Sequence, residues 1–395
     1  MPAPALGDLT YPGTDLAADR HPLYAHLRAQ GPVHRVRTPD ERDAWLVVGH
    51  EEARAALADP RLSCDLRHSP DWSGDGGYAI GVNMLQTDPP DHTRLRRLVA
   101  REFTAQRMEA LRPRIVRLAE RLVADLPSGG RADLVESFAL PLPLTVICHL
   151  LGVPPADRAD FRAWSDEMVQ PTSEAAAAAA AGAMTDHLAR LIEAKRTGPE
   201  DDLLSALIRT ADDDGDRLSS AELLGMAFLL LVAGHETTVN LISSTLLNLL
   251  QDPGRIAALR ADPGLTAAAV EETLRHDSPV ERAAYRYTKE PVEIGGTLVP
   301  ARQAVIVVLS AAARDPQRFP EPDRFDLHRD ARGHLAFGHG VHHCLGAPLA
   351  RLEAAVAVET LLRLLPGLAL DADPADLQWR PSLALRGLRA LPVRY

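Results

Sequence analysis

The sequence predicts a mainly α-helical fold with a small mixed β region. Apolar residues recur at three- and four-residue steps over long stretches, the pattern of helices that bury one face. Strand-like runs are short and lie between turn residues. Because no internal repeat and no Pro/Gly/Ser-rich linker divides the 395 residues, we expect one domain over residues 1–395.

The helical periodicity predicts helices at residues 107–126, 183–195, 221–250, 267–276 and 349–364. The alanine run at 175–181 is also expected to be helical, because alanine has the highest helix propensity. Strands are predicted at 44–48, 292–294, 298–299, 304–309 and 388–394. The acidic stretch 212–216 and the glycine-rich stretch 74–81 are predicted to be loops.

Composition and charge exclude several classes of function. The net charge of −11 argues against nucleic acid as the main partner. Three cysteines, Cys64, Cys148 and Cys344, fit a reducing cytosol better than a disulfide framework. The N-terminus has no basic start followed by an apolar stretch, and the longest strongly apolar run, 223–234, is too short for a bilayer. We therefore expect a cytoplasmic protein without membrane contact.

The segment FGHGVHHCLG at 337–346 carries the strongest functional signal. Phe337 precedes Cys344 by seven residues and can shield its sulfur, while glycines such as Gly346 let the backbone approach a flat ligand closely. A thiolate that ligates haem iron needs such a setting. Two other interpretations stay open: a buried structural thiol, and a zinc site that includes His339, His342 and His343.

This segment resembles the haem-ligand loop of the cytochrome P450 monooxygenases, in particular the soluble bacterial members. The resemblance extends from Asp88 to Tyr395 and is weaker before that. It implies the P450 fold and haem b, iron protoporphyrin IX, with the Cys344 thiolate as axial ligand. Only two lysines accompany 41 arginines among the 43 basic residues, a bias typical of GC-rich genomes such as those of actinobacteria.

A second motif, AGHETT at 233–238, lies inside the long apolar helix. An acid is costly in a helix core, and Gly234 together with the threonines can open the local hydrogen-bond ladder. By the resemblance, Thr237 binds dioxygen, Glu236 relays protons, and Ala233 leaves room beside the iron. The structural alternative is a kinked helix whose threonines hydrogen-bond to their own turn.

Further sites follow from the resemblance. In the family, an E-x-x-R pair, here Glu272 and Arg275, is buried beneath the haem loop and is joined by a later arginine, for which we expect Arg324. His92 and Arg96 lie four residues apart on one helix face and are expected to bind a haem propionate. Arg286 and His342 would complete the haem-binding set, and each of these basic residues could alternatively be solvated.

The implied reaction is insertion of one oxygen atom of O₂ into an apolar small molecule. We expect hydroxylation or epoxidation of a macrolide or other polyketide, with a terpene or steroid as alternatives. The pocket is expected to involve 80–85, Leu230, Ala233, 280–284 and 383–385, with the alanine-rich helix in a lid. Peroxide-driven oxidation, coupling and desaturation also stay open.

Electrons are expected from a ferredoxin and its reductase, because no flavin or nicotinamide domain is recognisable in the sequence. A basic face of Arg94, Arg97 and Arg101 is the expected docking surface for an acidic ferredoxin.

We expect the protein to be a monomer. Two other functions remain: a haem-thiolate sensor without turnover, and a cysteine hydrolase that pairs Cys344 with His342 or His343.

Overall fold

The computed structural model describes residues 19–38, 42–70, 72, 82–169, 171–209 and 217–395. The predicted loops at 74–81 and 212–216 lie outside these residues. The described helices are α1 (His21–Gln30), α2 (His50–Ala58), α3 (Asp91–Ala100), α4 (Ala105–Ala110), α5 (Arg112–Ala124), α6 (Pro141–Leu150), α7 (Arg158–Val169), α8 (Glu174–Thr197), α9 (Leu203–Arg209), α10 (Ser220–Leu250), α11 (Pro253–Ala261), α12 (Leu265–His276), α13 (Leu309–Ala313) and α14 (Ala347–Leu364).

The five helices predicted from periodicity and the alanine-rich helix are all present, with one difference. The prediction at 107–126 is wrong in its continuity, because α4 ends at Ala110 and α5 starts at Arg112. Pro113 lies in the first turn of α5, where its missing N–H costs nothing, whereas inside a longer helix it would break a hydrogen bond.

The strands are β1 (Val33–Arg37), β2 (Asp43–Val47), β3 (Leu62–Ser63), β4 (Arg131–Asp133), β5 (Arg286–Thr288), β6 (Val292–Ile294), β7 (Thr297–Val299), β8 (Ala304–Val307), β9 (Ala369–Leu370) and β10 (Pro392–Arg394). They form a five-stranded sheet in the order β1-β2-β8-β5-β3, a three-stranded sheet β4-β10-β9 and the hairpin β6-β7. β2 and β8 pair in parallel and the other neighbours are antiparallel, which confirms the mixed β region.

The predicted strands 44–48, 304–309 and 388–394 are confirmed with shifted ends. Leu309 begins α13 instead of ending β8, and only the last residues of 388–394 are a strand. β1, β4, β5 and the two-residue strands were not predicted. β1 has the sequence VHRVR and β4 has the sequence RAD, and their charged residues interrupt the apolar pattern by which strands are predicted. Their extended conformation is instead decided by pairing with neighbouring strands.

Helix α10 runs through the core and positions the AGHETT motif. Ser219 and Glu222 cap its start by hydrogen-bonding each other's backbone N–H groups. Its length and hydropathy would suffice to cross a membrane, but 72% of its most apolar window is buried inside the protein, as in the core helix of a globular domain. Gly234 lets α6 approach, because a Cβ there would lie 3.1 Å from the Ile147 side chain.

A buried ion-pair network holds the segment that leads to the cysteine loop. Arg275 is fully buried and donates two hydrogen bonds to the Glu272 carboxylate, each 2.8 Å long. Its remaining N–H groups donate to the carbonyls of Ala313, Pro322 and Arg324. The pair predicted from E-x-x-R is therefore an interior clamp that fixes the chain around residues 313–326.

The third member of this network is Arg329, so the expectation of Arg324 is wrong. Arg329 Nε donates to Glu272 Oε1 at 3.1 Å, and its side chain is 11% exposed. The Arg324 side chain is 61% exposed and pairs with Glu321 and Asp326, while only its backbone carbonyl reaches Arg275. Both arginines lie in one loop, and the turn of its backbone decides which side chain points inward.

We expect Arg329→Met to lower the free energy of unfolding by about 3–5 kcal/mol, because it leaves part of a buried ion-pair network without its partner. The exposed control, Arg324→Met, should change it by less than about 0.5 kcal/mol. Denaturant unfolding followed by circular dichroism measures both values. Equal losses for the two variants would show that Arg329 is not the interior partner.

Candidate active site

A cavity of about 280 Å³ lies between α10 and the cysteine loop. Nine of the predicted site residues line it: His92, Arg96, Ala233, Thr237, Arg286, Phe337, His342, Cys344 and Gly346. These residues come from four parts of the chain, and the fold brings them to one space. Glu236 is the exception, because it is buried on another side of α10.

The cysteine loop is held in shape by its own backbone. The Cys344 N–H donates to the Phe337 carbonyl at 2.8 Å, which closes the loop. Gly338 and Gly340 adopt φ values of +71° and +74°, a region that favours glycine. A Cβ at Gly340 would also lie 2.9 Å from the Leu57 carbonyl oxygen, so this glycine allows α2 to approach the loop.

The Cys344 sulfur is enclosed by the loop and accessible from the cavity. Burial raises the pKa of its thiol, and the N–H of Gly346, the charge of Arg96 and the N–H of Ala347 oppose that rise. These same N–H groups would hydrogen-bond a thiolate. The Phe337 ring is fixed beside the loop by the Arg351 guanidinium, 4.5 Å from its centroid. Glu271 holds Arg351 by a 2.6 Å hydrogen bond.

Four basic side chains gather at one side of the cavity. Arg96 reaches the loop, where its Nη2 donates to the His343 carbonyl at 2.7 Å. The rings of His92 and His342 are in contact, with centroids 4.3 Å apart and planes tilted by 53°. Burial, followed by the charges of Arg286, His92 and Arg96, lowers the pKa of His342 to about 3. Burial and Arg96 also lower the pKa of His92, so both rings are neutral at pH 7.

This basic group fits the two carboxylates of protoporphyrin IX. Neither ring nitrogen of His92 has a hydrogen-bond partner in the described structure, although the residue is buried. Arg286 is also buried and contacts Cys64 Sγ and the Ala284 carbonyl instead of a carboxylate. Buried polar groups are normally hydrogen-bonded, so these basic side chains need an anionic acceptor. The donor set and the thiol of Cys344 thus suit the propionates and iron of one haem.

The AGHETT motif is divided between faces of α10. Ala233 and Thr237 face the cavity, and the Thr237 hydroxyl donates to the Ala233 carbonyl at 3.1 Å. The helix is continuous over Ser220–Leu250, so the predicted opening of its hydrogen-bond ladder is not observed. His235 points elsewhere, between Ser165 Oγ and the Leu231 carbonyl, each 2.9 Å away.

Glu236 has a partner that the sequence did not indicate. Its Oε2 accepts a 3.0 Å hydrogen bond from Arg380 Nη1, and the carboxylate is 2% exposed. The two residues are 144 positions apart, and no local pattern connects them. The general rule that a buried acid needs a counter-charge was the only available signal.

The wall above the basic group is apolar. It consists of Met84, Leu85, Phe103, Ile147, Leu229, Leu230, Leu241, Pro279, Val280, Ala283, Ala284, Leu309 and their neighbours. The predicted contributions of Leu230 and Ala233 are therefore confirmed, and the segment 280–284 is confirmed in part, through Val280, Ala283 and Ala284. Residues 80 and 81 lie outside the described structure. The prediction of 383–385 is wrong for the described cavity, because Leu385 packs behind Val280 through a β-bridge.

Other interpretations of the loop lose support. Among the described residues, no cluster of three or more His, Cys, Asp or Glu side chains could hold a metal ion, which removes the zinc site. The His342 ring contacts the His92 ring, and the Cys344 sulfur is approached by backbone N–H groups. A cysteine hydrolase would instead need an imidazole hydrogen-bonded to the thiol.

The helical fold, the cysteine loop and the basic group together define a haem-thiolate protein. The Cytochrome P450 family model matches residues 161–366. The chain is 56% identical over 395 residues to the cytochrome P450 monooxygenase PikC of Streptomyces venezuelae, covering 100% of this chain and 95% of that protein.

It is also 46% identical over 389 residues to 6-deoxyerythronolide B hydroxylase of Saccharopolyspora erythraea, covering 95% of this chain and 96% of that protein. The solved structure of the tirandamycin C-bound P450 monooxygenase TamI matches with a TM-score of 0.89 and 46% identity, covering 95% of this chain and 97% of that one. The chain therefore belongs to the cytochrome P450 family, carries haem with a cysteine thiolate ligand, and is a monooxygenase.

Proposed function

We propose that this monooxygenase hydroxylates or epoxidises a macrolide or related polyketide. The observation that carries the proposal is the division of the cavity into a basic side, which suits haem, and an apolar wall beside Thr237. The arginines that line the cavity, Arg96 and Arg286, belong to the basic side, so among the described residues the wall has no charged group to pair with an ionic substrate. The relative named for 6-deoxyerythronolide B adds weight to this substrate class.

Titration of the substrate-free holoenzyme with macrolactones of increasing size tests the substrate class. Binding should displace the water ligand of the iron and shift the haem absorption band. A macrolactone should bind about tenfold more tightly than a monoterpene, because about 60 Å² of additional buried apolar surface contributes about 1.5 kcal/mol.

A shift with steroids or terpenes but with no macrolactone would overturn the proposal in favour of those substrates. Absence of any shift, together with no substrate-dependent O₂ consumption when electrons are supplied, would favour the haem-thiolate sensor.

We propose the following roles for the site residues. When bound, haem supplies the activation of O₂ and the insertion of one oxygen atom into the substrate. Cys344 holds the iron, and the N–H groups of Gly346 and Ala347 stabilise its sulfur. His92, Arg96, Arg286 and His342 bind the propionates. Phe337 shields the sulfur from water.

On the other side, Ala233 leaves space beside the iron and Thr237 presents its hydroxyl to the cavity. We assign proton supply to Glu236, which is the neighbouring residue on α10 and the nearest acid in sequence. Because the carboxylate lies outside the cavity lining, its proton must pass around the helix to the Thr237 side. Controlled proton delivery is what directs electrons into product instead of hydrogen peroxide.

We expect Thr237→Ala to lower product formed per electron by about tenfold and to raise hydrogen peroxide release correspondingly. Thr245→Ala is the matched control, since Thr245 also lies on α10 and its hydroxyl donates to the carbonyl four residues earlier, at 2.7 Å. Thr245 is buried away from the cavity lining, so its variant should retain wild-type coupling. Wild-type coupling in Thr237→Ala would contradict the assigned role.

We propose that a ferredoxin, reduced by its reductase, supplies the electrons to a monomeric, cytoplasmic enzyme. Arg97 and Arg101 are exposed at the end of α3, and the Arg96 side chain between α3 and the loop touches the residue beside Cys344. A partner docked there would lie near the haem edge. Arg94 does not contribute, because it forms an ion pair with Glu222 of α10.

Charge reversal at Arg97 and Arg101 together should slow reduction by about tenfold at low salt and flatten its salt dependence, because attraction to an acidic partner is lost. Stopped-flow reduction by ferredoxin measures both effects. Reversal of Arg190 and Arg196 on α8 gives the same change in net charge away from α3 and should have little effect. If both double variants slow reduction equally, α3 is not the docking surface.

A further inference from the structure

Glu236 lies on α10 beside the residues that face the cavity, but does not itself line the cavity. The carboxylate is buried, its Oε2 accepts from Arg380, and its Oε1 has no hydrogen-bond partner in the described structure. Thr237, the next residue, faces the cavity. The acid therefore lies between Arg380 on one side and the reaction space on the other, with one oxygen still able to bond.

Arg380 lies in a hairpin that packs against this side of α10. Its N–H donates to the Gly387 carbonyl at 2.9 Å, and Trp379 pairs with Leu388 through a β-bridge. Asn240, one helical turn after Glu236, abuts Gly387 so closely that a Cβ would not fit there. The backbone position of Arg380 is thus determined by the hairpin, independently of its ion pair with Glu236.

Arg380 also connects the buried acid to the surface. Its side chain is 14% exposed, whereas that of Glu236 is 2% exposed. A buried carboxylate that must exchange protons with solvent needs both a counter-charge and a route to water. The guanidinium supplies the counter-charge, and the Arg380 side chain is itself partly open to solvent.

We propose that Arg380 is a positioning residue that holds Glu236 at the junction between solvent and the cavity, and thereby controls proton delivery. The proposal rests on the proton-supply role of Glu236 in the proposed function. In each transfer, the Glu236 carboxylate takes one proton from solvent and then releases one towards the Thr237 side, so it returns to its ion-paired starting state. Arg380 keeps its own protons throughout, because guanidinium does not deprotonate in proteins.

The test compares Arg380→Gln, Arg380→Lys and Arg386→Gln in the holoenzyme. Arg386 is the matched control: it lies in the same hairpin and forms a buried ion pair, but with Asp277, at 2.7 Å. Arg380→Gln should lower product per electron about tenfold and increase the ratio of rates in H₂O and D₂O. Arg380→Lys should recover most of the loss, and Arg386→Gln should affect thermal stability without changing that ratio.

A spectroscopic readout separates positioning from catalysis. The infrared band of the Glu236 carboxyl group is identified as the one lost in Glu236→Gln. Arg380→Gln should shift this band in the resting protein, and Arg386→Gln should leave it in place. An unshifted band in Arg380→Gln would overturn the proposal.

The double variant Glu236→Gln/Arg380→Gln separates the role of Arg380 from the proton-supply role of Glu236. If Arg380 acts through Glu236, the double variant should be no worse than Glu236→Gln alone. Wild-type product per electron in Glu236→Gln would refute the proton-supply role itself. A loss in Glu236→Gln, with Arg380→Gln behaving like Arg386→Gln, would refute only the role of Arg380.

Discussion

The structure depends on keeping a cysteine sulfur accessible at the edge of an otherwise apolar cavity. Burial disfavours charge on that sulfur, and the backbone N–H groups of Gly346 and Ala347 together with Arg96 oppose this effect. Such fine placement requires a rigid loop. Glycines at positive φ, the 2.8 Å hydrogen bond within the loop, and the stacking of Arg351 on Phe337 supply that rigidity. Beneath it, Glu272, Arg275 and Arg329 fix the chain that leads into the loop.

The same electrostatic rule explains how the cavity is divided. Arginine and histidine side chains gather beside the cysteine loop, where buried donors on His92 and Arg286 need an anion. In the described part of the chain, the rest of the cavity lining has aliphatic, aromatic and small residues apart from the two threonines of α10. The cavity thus has a basic part, which suits the carboxylates of haem, and an apolar part, which suits an uncharged molecule.

Three consecutive residues of helix α10 face three different parts of the structure. His235 contacts α7, Glu236 contacts the C-terminal hairpin, and Thr237 faces the cavity. Successive side chains on a helix point about 100° apart, so a short motif can contact α7, the C-terminal hairpin and the cavity at once. The motif's polar residues are therefore compatible with a core helix. His235 and Glu236 hydrogen-bond to partners on other elements, and the Thr237 hydroxyl hydrogen-bonds to the Ala233 carbonyl in its own turn.

Local sequence was sufficient to predict most of the long helices and to single out the cysteine loop and the acid–threonine motif. Hydrophobic periodicity and short motifs are properties of neighbouring residues and can be recognised without the fold. It also indicated His92, Arg96, Arg286 and His342, which the fold then brought together. Only the tertiary structure decided that Arg329 and not Arg324 joins Glu272, that Arg380 partners Glu236, and that 383–385 lies behind the cavity wall. These pairings join residues 57 or more positions apart in sequence, and such contacts are selected by packing of the whole chain and not by neighbouring residues.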